Sequence, residues 1–259
     1  MAARLRHESV ASECAAADVF CVQELFSRDA QEFFDGLQRY GLTTTFRDHN
    51  RMHFRSRTFR GSGLGIGSKA APIETKISHF RPSRAGWDKL ARKGVLVARY
   101  ALEGDLRINV MTVHLQAGAD TIACDVRRGQ LDELAQFVEE SADDHPFIVC
   151  GDFNICGLGP LREKDEYRHL RKSLPGFDDL GADADLPTLD PRPESNRLAR
   201  RFADDPSASR VDYVFFRPAV RDAARFQCDS IERTLDRPLH ETPDHYASDH
   251  YGLQAAFRY

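Results

Sequence analysis

Apolar residues recur along the chain with two different periods, which together predict strands and amphipathic helices. Short apolar runs typical of buried or half-buried strands occur at 18–23, 94–100 and 107–115. Helical spacing marks 29–40 and 121–142, each with an apolar stripe along one side. Both kinds of element therefore contribute to the predicted core.

Weaker patterns predict the remaining elements. Further strands are predicted at 43–46, 64–68, 76–80, 146–150, 210–217 and 251–258, and further helices at 4–17 and 163–173. The stretch 186–209 is rich in Pro, Asp and Arg and is predicted to be a long functional loop. Because many strands follow one another without a helix between them, the order predicts an α+β sandwich of two packed sheets with helices outside.

Composition narrows the class of protein. With 259 residues, 41% of them hydrophobic and 29% charged, the chain is predicted to form a single globular domain over 1–259. The net charge of −4 argues mildly against a dedicated nucleic-acid binder without excluding a local basic cleft. Six cysteines without CxxC spacing argue against a zinc site or disulfide framework. No transmembrane run or signal peptide is visible, so a cytoplasmic location is the default expectation.

The tetrapeptide Gly151-Asp152-Phe153-Asn154 carries the most informative chemistry. It follows a predicted buried strand, so a carboxylate and a carboxamide two residues apart can point into one cleft. The carboxylate can bind a metal or orient a water, and the amide can donate to a phosphate oxygen. Such residues are also common in turns, but the preceding strand favours the functional interpretation.

Other polar residues lie at or near predicted strand ends. Glu24 follows one strand, His114 closes another, and Asp249 and His250 precede the last. Taken singly, an acid at a strand end is as often a solvated charge as a metal ligand. A single histidine there is more often structural than catalytic. Asp212 lies inside an apolar strand and needs a partner; His250 is the candidate, since an Asp that polarises a His raises its basicity.

These segments, taken in order, resemble the endonuclease/exonuclease/phosphatase superfamily of Mg-dependent phosphodiesterases. The resemblance covers nearly the whole chain and implies a DNase-I-like, four-layer α/β/β/α sandwich. It implies Mg²⁺ as the cofactor, with Mn²⁺ or Co²⁺ as alternatives. It also implies that Glu24 is the principal metal ligand and that Asp249 is a second acid near the metal.

The resemblance also implies roles at the site. His114 contacts the scissile phosphate or the leaving oxygen, and Asn154 holds a phosphoryl oxygen. Asp152 orients or deprotonates the attacking water. His250, polarised by Asp212, acts as general base or stabilises the pentacovalent phosphate. Which of Asp152 and His250 removes the proton is left open.

One segment favours a branch of the superfamily. Asp88 and Lys93, five residues apart with Gly94 opening a strand, resemble the Asp-x4-Lys-Gly segment of neutral sphingomyelinases. This resemblance implies that Asp88 and Lys93 bind substrate, with Lys93 in the active site as a point charge for the phosphate. A mixed-charge surface loop is the alternative interpretation.

Further segments are similar to the same branch: 17–26, 63–69, Arg128-Gly129-Gln130-Leu131 in the long helix, and Pro187-Thr188-Leu189-Asp190 with Asn196. The resemblance of 187–190 with Asn196 implies that these residues form a loop that walls the site of the lipid headgroup. The superfamily opens with a strand whose Asn helps to bind the metal, whereas the residues before Glu24 look helical. That strand and its Asn are therefore expected to be lacking: either the start codon is misplaced, or the chain is trimmed, or the metal site is impaired.

The sequence thus predicts a Mg²⁺-dependent sphingomyelin phosphodiesterase that releases ceramide and phosphocholine. Its expected partner is a phospholipid at a membrane surface, and no protein partner is inferred. A DNase-like endonuclease is the first alternative and predicts nucleic-acid binding that depends strongly on salt. A binding module that has lost its metal is the second. The segment 47–60, with five arginines, suits anionic lipid or a nucleic-acid backbone, or is a solvated loop.

Overall fold

The computed structural model of the protein describes residues 4, 7–26, 29–42, 44–48, 52–53, 58–59, 61–82, 92–184, 186–203, 205–220, 226–239 and 246–259. Within these ranges the helices are α1 (Glu8–Ala16), α2 (Asp29–Gln38), α3 (Thr121–Ser141) and α4 (Asp165–Ser173), and the 3₁₀ helices are Gly159–Glu163 and Ala199–Arg201. The strands are β1 (Val19–Val22), β2 (Thr44–Arg47), β3 (Met52–His53), β4 (Thr58–Phe59), β5 (Gly65–Ser68), β6 (Glu74–His79), β7 (Gly94–Ala101), β8 (Arg107–His114), β9 (Phe147–Asp152), β10 (Asp178–Asp179), β11 (Asp212–Arg217), β12 (Gln227–Thr234) and β13 (Gly252–Arg258).

The strands form one large sheet and several smaller ones. The large sheet has six strands in the order β10-β11-β9-β8-β7-β6, and a three-stranded sheet has the order β1-β5-β2. Two further pairs are β12-β13 and β3-β4. Strands β8 and β9 run parallel, whereas the other neighbours in the large sheet are antiparallel. The parallel pair requires a crossover, which α3 supplies.

Three clusters of buried apolar side chains hold these elements together. One joins β8 and β9 to α3, for example through Val113, Val149 and Leu134. A second joins the two larger sheets, with Ile66 of β5 and Val110 of β8 among its members. The third joins α1 and α2 to β1 and comprises Val10, Ala11, Cys14, Ala15, Leu25, Phe33, Phe34, Leu37 and Leu42, with Phe20 and Val22 packed against it. Alternate side chains of a strand point to opposite faces, so each larger sheet contributes to two clusters.

This mixture of several sheets and four helices among the described residues confirms the predicted fold class. The order of four layers stays a prediction. The first described strand, β1, follows the helix α1, as the helical pattern before Glu24 indicated. Among the described helices, none has the length and apolar character that a membrane span requires.

The structure also corrects several predicted elements. The edge strand β12 was not predicted, because most of its side chains are only partly buried or exposed and it lacks the apolar alternation of a core strand. The predicted helix at 163–173 begins at Asp165 as α4, and the 3₁₀ helix before it ends at Glu163. The predicted strand at 210–217 begins at Asp212, and Arg210 and Val211 before it are buried outside the sheet.

Candidate active site

One transverse row of the large sheet carries much of the predicted site. The register pairs Gly94 with His114, His114 with Asp152, and Asp152 with Asp212. Residues in register on neighbouring strands project to the same face of a sheet. The fold therefore brings three of the predicted residues, from strands β8, β9 and β11, to one edge and one face.

Gly151 permits the close approach of β8 and β9 at this edge. Its φ is +136°, and a Cβ added there would lie 2.1 Å from the carbonyl oxygen of Val113. A larger residue would therefore collide with the backbone of β8 and would also take up a conformation that only glycine adopts readily. The register that sets Asp152 beside His114 depends on this glycine.

His250 and Asp212 form the predicted pair. Nδ1 of His250 lies 2.8 Å from Oδ2 of Asp212. Burial alone would lower the pKa of His250, but the charge and hydrogen bond of Asp212, with the charges of Asp152 and Asp249, outweigh burial and raise that pKa to about 10. The imidazole is therefore protonated at neutral pH, with its Nδ1–H donating to the carboxylate.

Replacing Asp212 by Asn is expected to shift the pKa of His250 from about 10 back toward its ordinary value of 6.5, because the nearest negative charge is removed. The raised pKa contributes stability that is fully present below pH 6.5 and is lost as pH rises through about 10. The variant should therefore lose most stability at the acid side of that window. NMR titration of the imidazole checks the shift, with Asp132→Asn as the control. An unchanged pKa in Asp212→Asn would contradict the pairing.

Asp152 and Asn154 are tied together at the end of β9. The backbone N–H of Asn154 donates to Oδ1 of Asp152 over 2.8 Å, and its Nδ2 donates to Oδ2 over 3.2 Å and to the carbonyl of Leu115 over 3.1 Å. Asn154 has φ +52°, a conformation that Asn tolerates better than most residues. Burial and the charge of Asp212 raise the pKa of Asp152 to about 7, against an opposing effect of His250.

Lys93 lies against His114. The Nζ of Lys93 is 2.8 Å from Nε2 of His114, and both side chains are buried. Burial first, then the charges of Lys93 and His250, hold the pKa of His114 well below its ordinary value. His114 is therefore neutral and accepts a hydrogen bond from the ammonium group. Its Nε2 also lies 3.5 Å from Oδ2 of Asp152.

Glu24 faces this group from the smaller sheet. Its Oε1 lies 4.0 Å from Nε2 of His114, and its side chain is 61% exposed. Glu24 has φ +61°, an uncommon backbone conformation of the kind found at functional sites. Gln23 fixes the approach of the two sheets, since its Nε2 donates to Oγ1 of Thr112 over 2.9 Å.

The donor set suits a hard divalent cation. Among the described residues, one group with ligand atoms within 4.8 Å of one another comprises Asp152, Asp212 and His250. Together with Glu24, this edge presents mainly carboxylate oxygens, the donors that Mg²⁺ takes alongside water. Glu24 and Asp249 are not members of that group, so their role as metal residues stays a prediction.

An arginine that the sequence analysis missed holds the segment after His114. Arg127 of α3 is buried and donates through Nη1 to the carbonyls of Gln116 over 2.8 Å and Gly118 over 2.7 Å, and through Nε to Glu166 over 2.6 Å. Gln130 accepts from the backbone N–H of Gln116. Arg128, the arginine of the segment singled out in the sequence, is instead half exposed and pairs with Asp125 over 3.6 Å. The spacing of Arg127 and Gln130, three residues apart on one helix face, was the available signal.

A second buried arginine holds the segment after Asn154. Arg210 is fully buried and makes a bidentate ion pair with Asp179, through distances of 2.8 and 2.7 Å. Nη2 of Arg210 also donates to the carbonyl of Gly157 over 3.3 Å. The hydroxyl of Tyr213 donates to the carbonyl of Ile155 over 2.5 Å. The signal in the sequence was an arginine two residues before Asp212, an acid within an apolar strand.

Asn196, of the predicted headgroup loop, holds the backbone of the segment before His250. Asn196 is fully buried, and its Nδ2 donates to the carbonyls of Ser248 over 2.8 Å and Asp249 over 3.2 Å. Asn196 therefore positions the segment that carries His250, and the resemblance of 187–190 with Asn196 to a loop that walls a headgroup site stays a prediction. Asp88 lies outside the described residues, so its predicted role stays a prediction.

Comparisons with known proteins agree with this geometry. The family model described as "Endonuclease/Exonuclease/phosphatase family" matches residues 2–250. A Caenorhabditis elegans protein named "Putative neutral sphingomyelinase" is 27% identical over 232 residues, which is 79% of this chain. The chain spans about half of that protein's length, 51%.

Solved structures share the fold at low sequence identity. D. rerio TDP2, solved with a single-strand DNA product, superposes with a TM-score of 0.73 at 19% identity, covering 98% of this chain and 92% of that one. A mutant of Staphylococcus aureus beta toxin with bound magnesium ions gives a TM-score of 0.70 at 18% identity, covering 96% and 91%. At such identities the likeness shows the fold alone.

Proposed function

This chain belongs to the endonuclease/exonuclease/phosphatase family, and on that premise we propose that it hydrolyses sphingomyelin, or a closely related phospholipid, to ceramide and phosphocholine. Members of the family are hydrolases of phosphodiester or phosphate bonds. The choice of a sphingolipid substrate rests on the Caenorhabditis elegans relative and on the position of Lys93.

The contact of Lys93 with His114 is the observation that carries the proposal. Lys93 is the lysine of the segment that resembles the Asp-x4-Lys-Gly segment of neutral sphingomyelinases, and its Nζ lies 2.8 Å from Nε2 of His114. A buried ammonium beside a neutral imidazole provides a concentrated positive charge at the site. A phosphodiester anion is the ligand that such a charge favours.

The two raised pKa values divide the proton chemistry between Asp152 and His250. A general base works best when its pKa is near the operating pH, and the pKa of Asp152 is about 7. Asp152 therefore removes the proton from the attacking water. His250, whose pKa is about 10, is protonated when the substrate binds and gives its Nε2 proton to the ceramide oxygen as the bond between that oxygen and phosphorus breaks.

The phosphate is held from the other side by Lys93 and Asn154. The ammonium of Lys93 neutralises charge on one phosphoryl oxygen, while His114 keeps that ammonium in place. The Nδ2 of Asn154 donates one N–H to the carbonyl of Leu115 over 3.1 Å and the other to Asp152 over 3.2 Å; the second N–H turns to another phosphoryl oxygen when the substrate binds. Arg127 and Arg210 fix the segments that carry these groups and act as positioning residues.

We further propose that Glu24 holds Mg²⁺, with Asp249 as the second acid near it and Mn²⁺ or Co²⁺ as alternative ions. When bound, the ion supplies positive charge that neutralises the phosphoryl oxygens as negative charge develops on them. The exposed carboxylate of Glu24 at the edge of the site, 4.0 Å from His114, supports this assignment.

Hydrolysis assays test the proposed function. Sphingomyelin in mixed micelles is incubated with the protein in Mg²⁺ and in EDTA, and plasmid DNA is incubated in parallel. We expect Mg²⁺-dependent release of phosphocholine with the DNA intact, and no release by the matched Asp152→Asn variant. DNA nicking without lipid cleavage would instead place the protein among the nucleases. Release that persists in EDTA or in Asp152→Asn would contradict the mechanism.

A further inference from the structure

A second acid–histidine pair lies at the same edge of the two sheets. Nε2 of His79, in β6, is 2.7 Å from Oδ2 of Asp48, which follows β2. The side chain of His79 is 27% exposed and that of Asp48 is 10% exposed. The mechanism above uses neither residue.

His79 belongs to the transverse row that carries the active site. The register pairs His79 with Gly94, and Gly94 with His114. His79 and His114 therefore project to the same face, two strand spacings or about 9.5 Å apart. Gly94 adds no side chain between them; a Cβ there would lie 2.3 Å from the carbonyl oxygen of Ser78.

The smaller sheet places Asp48 as the counterpart of Glu24. Strands β1 and β2 flank β5 and both run antiparallel to it. The backbone N–H of Leu25 donates to the carbonyl of Gly63, and the N–H of Asp48 donates to that of Leu64. Two acids of the smaller sheet therefore lie on either side of the segment that enters β5. Glu24 faces His114 across the sheets, and Asp48 faces His79.

Hydrogen bonding defines what His79 can offer to a ligand. Oδ2 of Asp48 accepts from the backbone N–H of Ser62 over 2.6 Å as well as from His79. Burial would raise the pKa of Asp48, but the hydrogen bonds from His79 and Ser62 lower it below its ordinary value. The ionised carboxylate fixes the N–H of His79 at Nε2. In the neutral ring, Nδ1 then accepts a hydrogen bond from a hydroxyl or amide donor.

We propose that His79, oriented by Asp48, binds the hydroxyl or amide N–H of the ceramide part of the substrate while the site at His114 binds the phosphate. This inference rests on the proposed function and makes His79 a specificity-determining residue. A separation of about 9.5 Å accommodates a phosphate and the few bonds that join it to such a donor. Diesters without hydroxyl or amide donors in the leaving group gain nothing from this contact.

The test compares two substrates that share the phosphocholine group. Sphingomyelin carries the ceramide donors, whereas p-nitrophenylphosphocholine has none. We expect His79→Phe to lower kcat/KM for sphingomyelin roughly tenfold, the effect of one lost hydrogen bond, and to leave the chromogenic substrate within about twofold. His169→Phe is the matched control, because His169 pairs with Asp132 over 3.2 Å on the helical side of the protein. It should change neither rate.

Each outcome bears on the proposal. An equal loss on both substrates, or no loss on either, would overturn the subsite while the proposed function stands. Turnover of the chromogenic diester by the unmodified protein without turnover of sphingomyelin would overturn the proposed substrate and the subsite together. If His79→Phe fails to fold, His79→Lys replaces it. Lys can still donate to Asp48 but has no acceptor atom, so the same selective loss is expected.

Discussion

Replacing His250 by Asn is expected to lower kcat for phosphodiester hydrolysis about 10³-fold, within the range that positioned acid–base groups contribute. The imidazolium is held by Asp212 at 2.8 Å and stays protonated at neutral pH, since its pKa is about 10. Asn can neither carry the positive charge nor transfer the proton. Steady-state kinetics on a soluble phosphodiester at pH 7.5 measures the loss, and KM should change far less than kcat.

His169→Asn is the control for this substitution. His169 also has a carboxylate partner, Asp132, but lies on α4 with a side chain that is 34% exposed. Its loss should leave kcat within about twofold, as for a surface substitution. A His250→Asn enzyme that retains a tenth of the activity would assign the proton chemistry to Asp152 alone.

Replacing Glu24 by Gln is expected to weaken Mg²⁺ binding, so that activity at limiting Mg²⁺ falls roughly 100-fold and recovers in part at high Mg²⁺. The amide keeps the shape of the side chain but loses the negative charge that attracts the ion. Two measurements check this: the Mg²⁺ concentration at half-maximal activity, and calorimetric Mg²⁺ binding, which does not require turnover.

Glu140→Gln serves as the matched control, because Glu140 is an exposed glutamate of α3 paired with Lys76 over 2.9 Å. It should leave both Mg²⁺ measurements unchanged. If Glu24→Gln and the unmodified protein respond to Mg²⁺ alike, Glu24 is not the ligand. The group formed by Asp152, Asp212 and His250 would then be the remaining candidate among the described residues.

Local patterns predicted the elements with strong periodicity and missed those without it. The helix α3 was predicted because its apolar stripe repeats with the helical period along 21 residues. Strand β8 was predicted from an apolar run, and nearly all of it is buried. Strand β12 was missed because, among the described strands, it pairs with β13 alone and leaves most side chains partly or fully exposed. Its conformation is set by that distant partner rather than by its own residues.

The buried arginines show a related limit. Arg127 and Arg210 were not singled out, because arginine is rarely fully buried and its sequence context does not reveal an ion-pair partner. Their partners, Glu166 and Asp179, lie 39 and 31 residues away. Only tertiary packing shows that these arginines hold the segments beside His114 and Asn154.

The sequence by itself determined which chemical groups are available next to the predicted strands. These are the side chains of Glu24, His114, Asp152, Asp212 and His250, and their order along the chain carries the family resemblance. The tertiary structure decided which of them meet. Strand register, set by hydrogen bonds between segments far apart in the chain, places three of them in one row and adds His79 to it. Burial and neighbouring charge then set the pKa values of Asp152 and His250, because desolvation and Coulomb interactions depend on distance in space and not on distance along the chain.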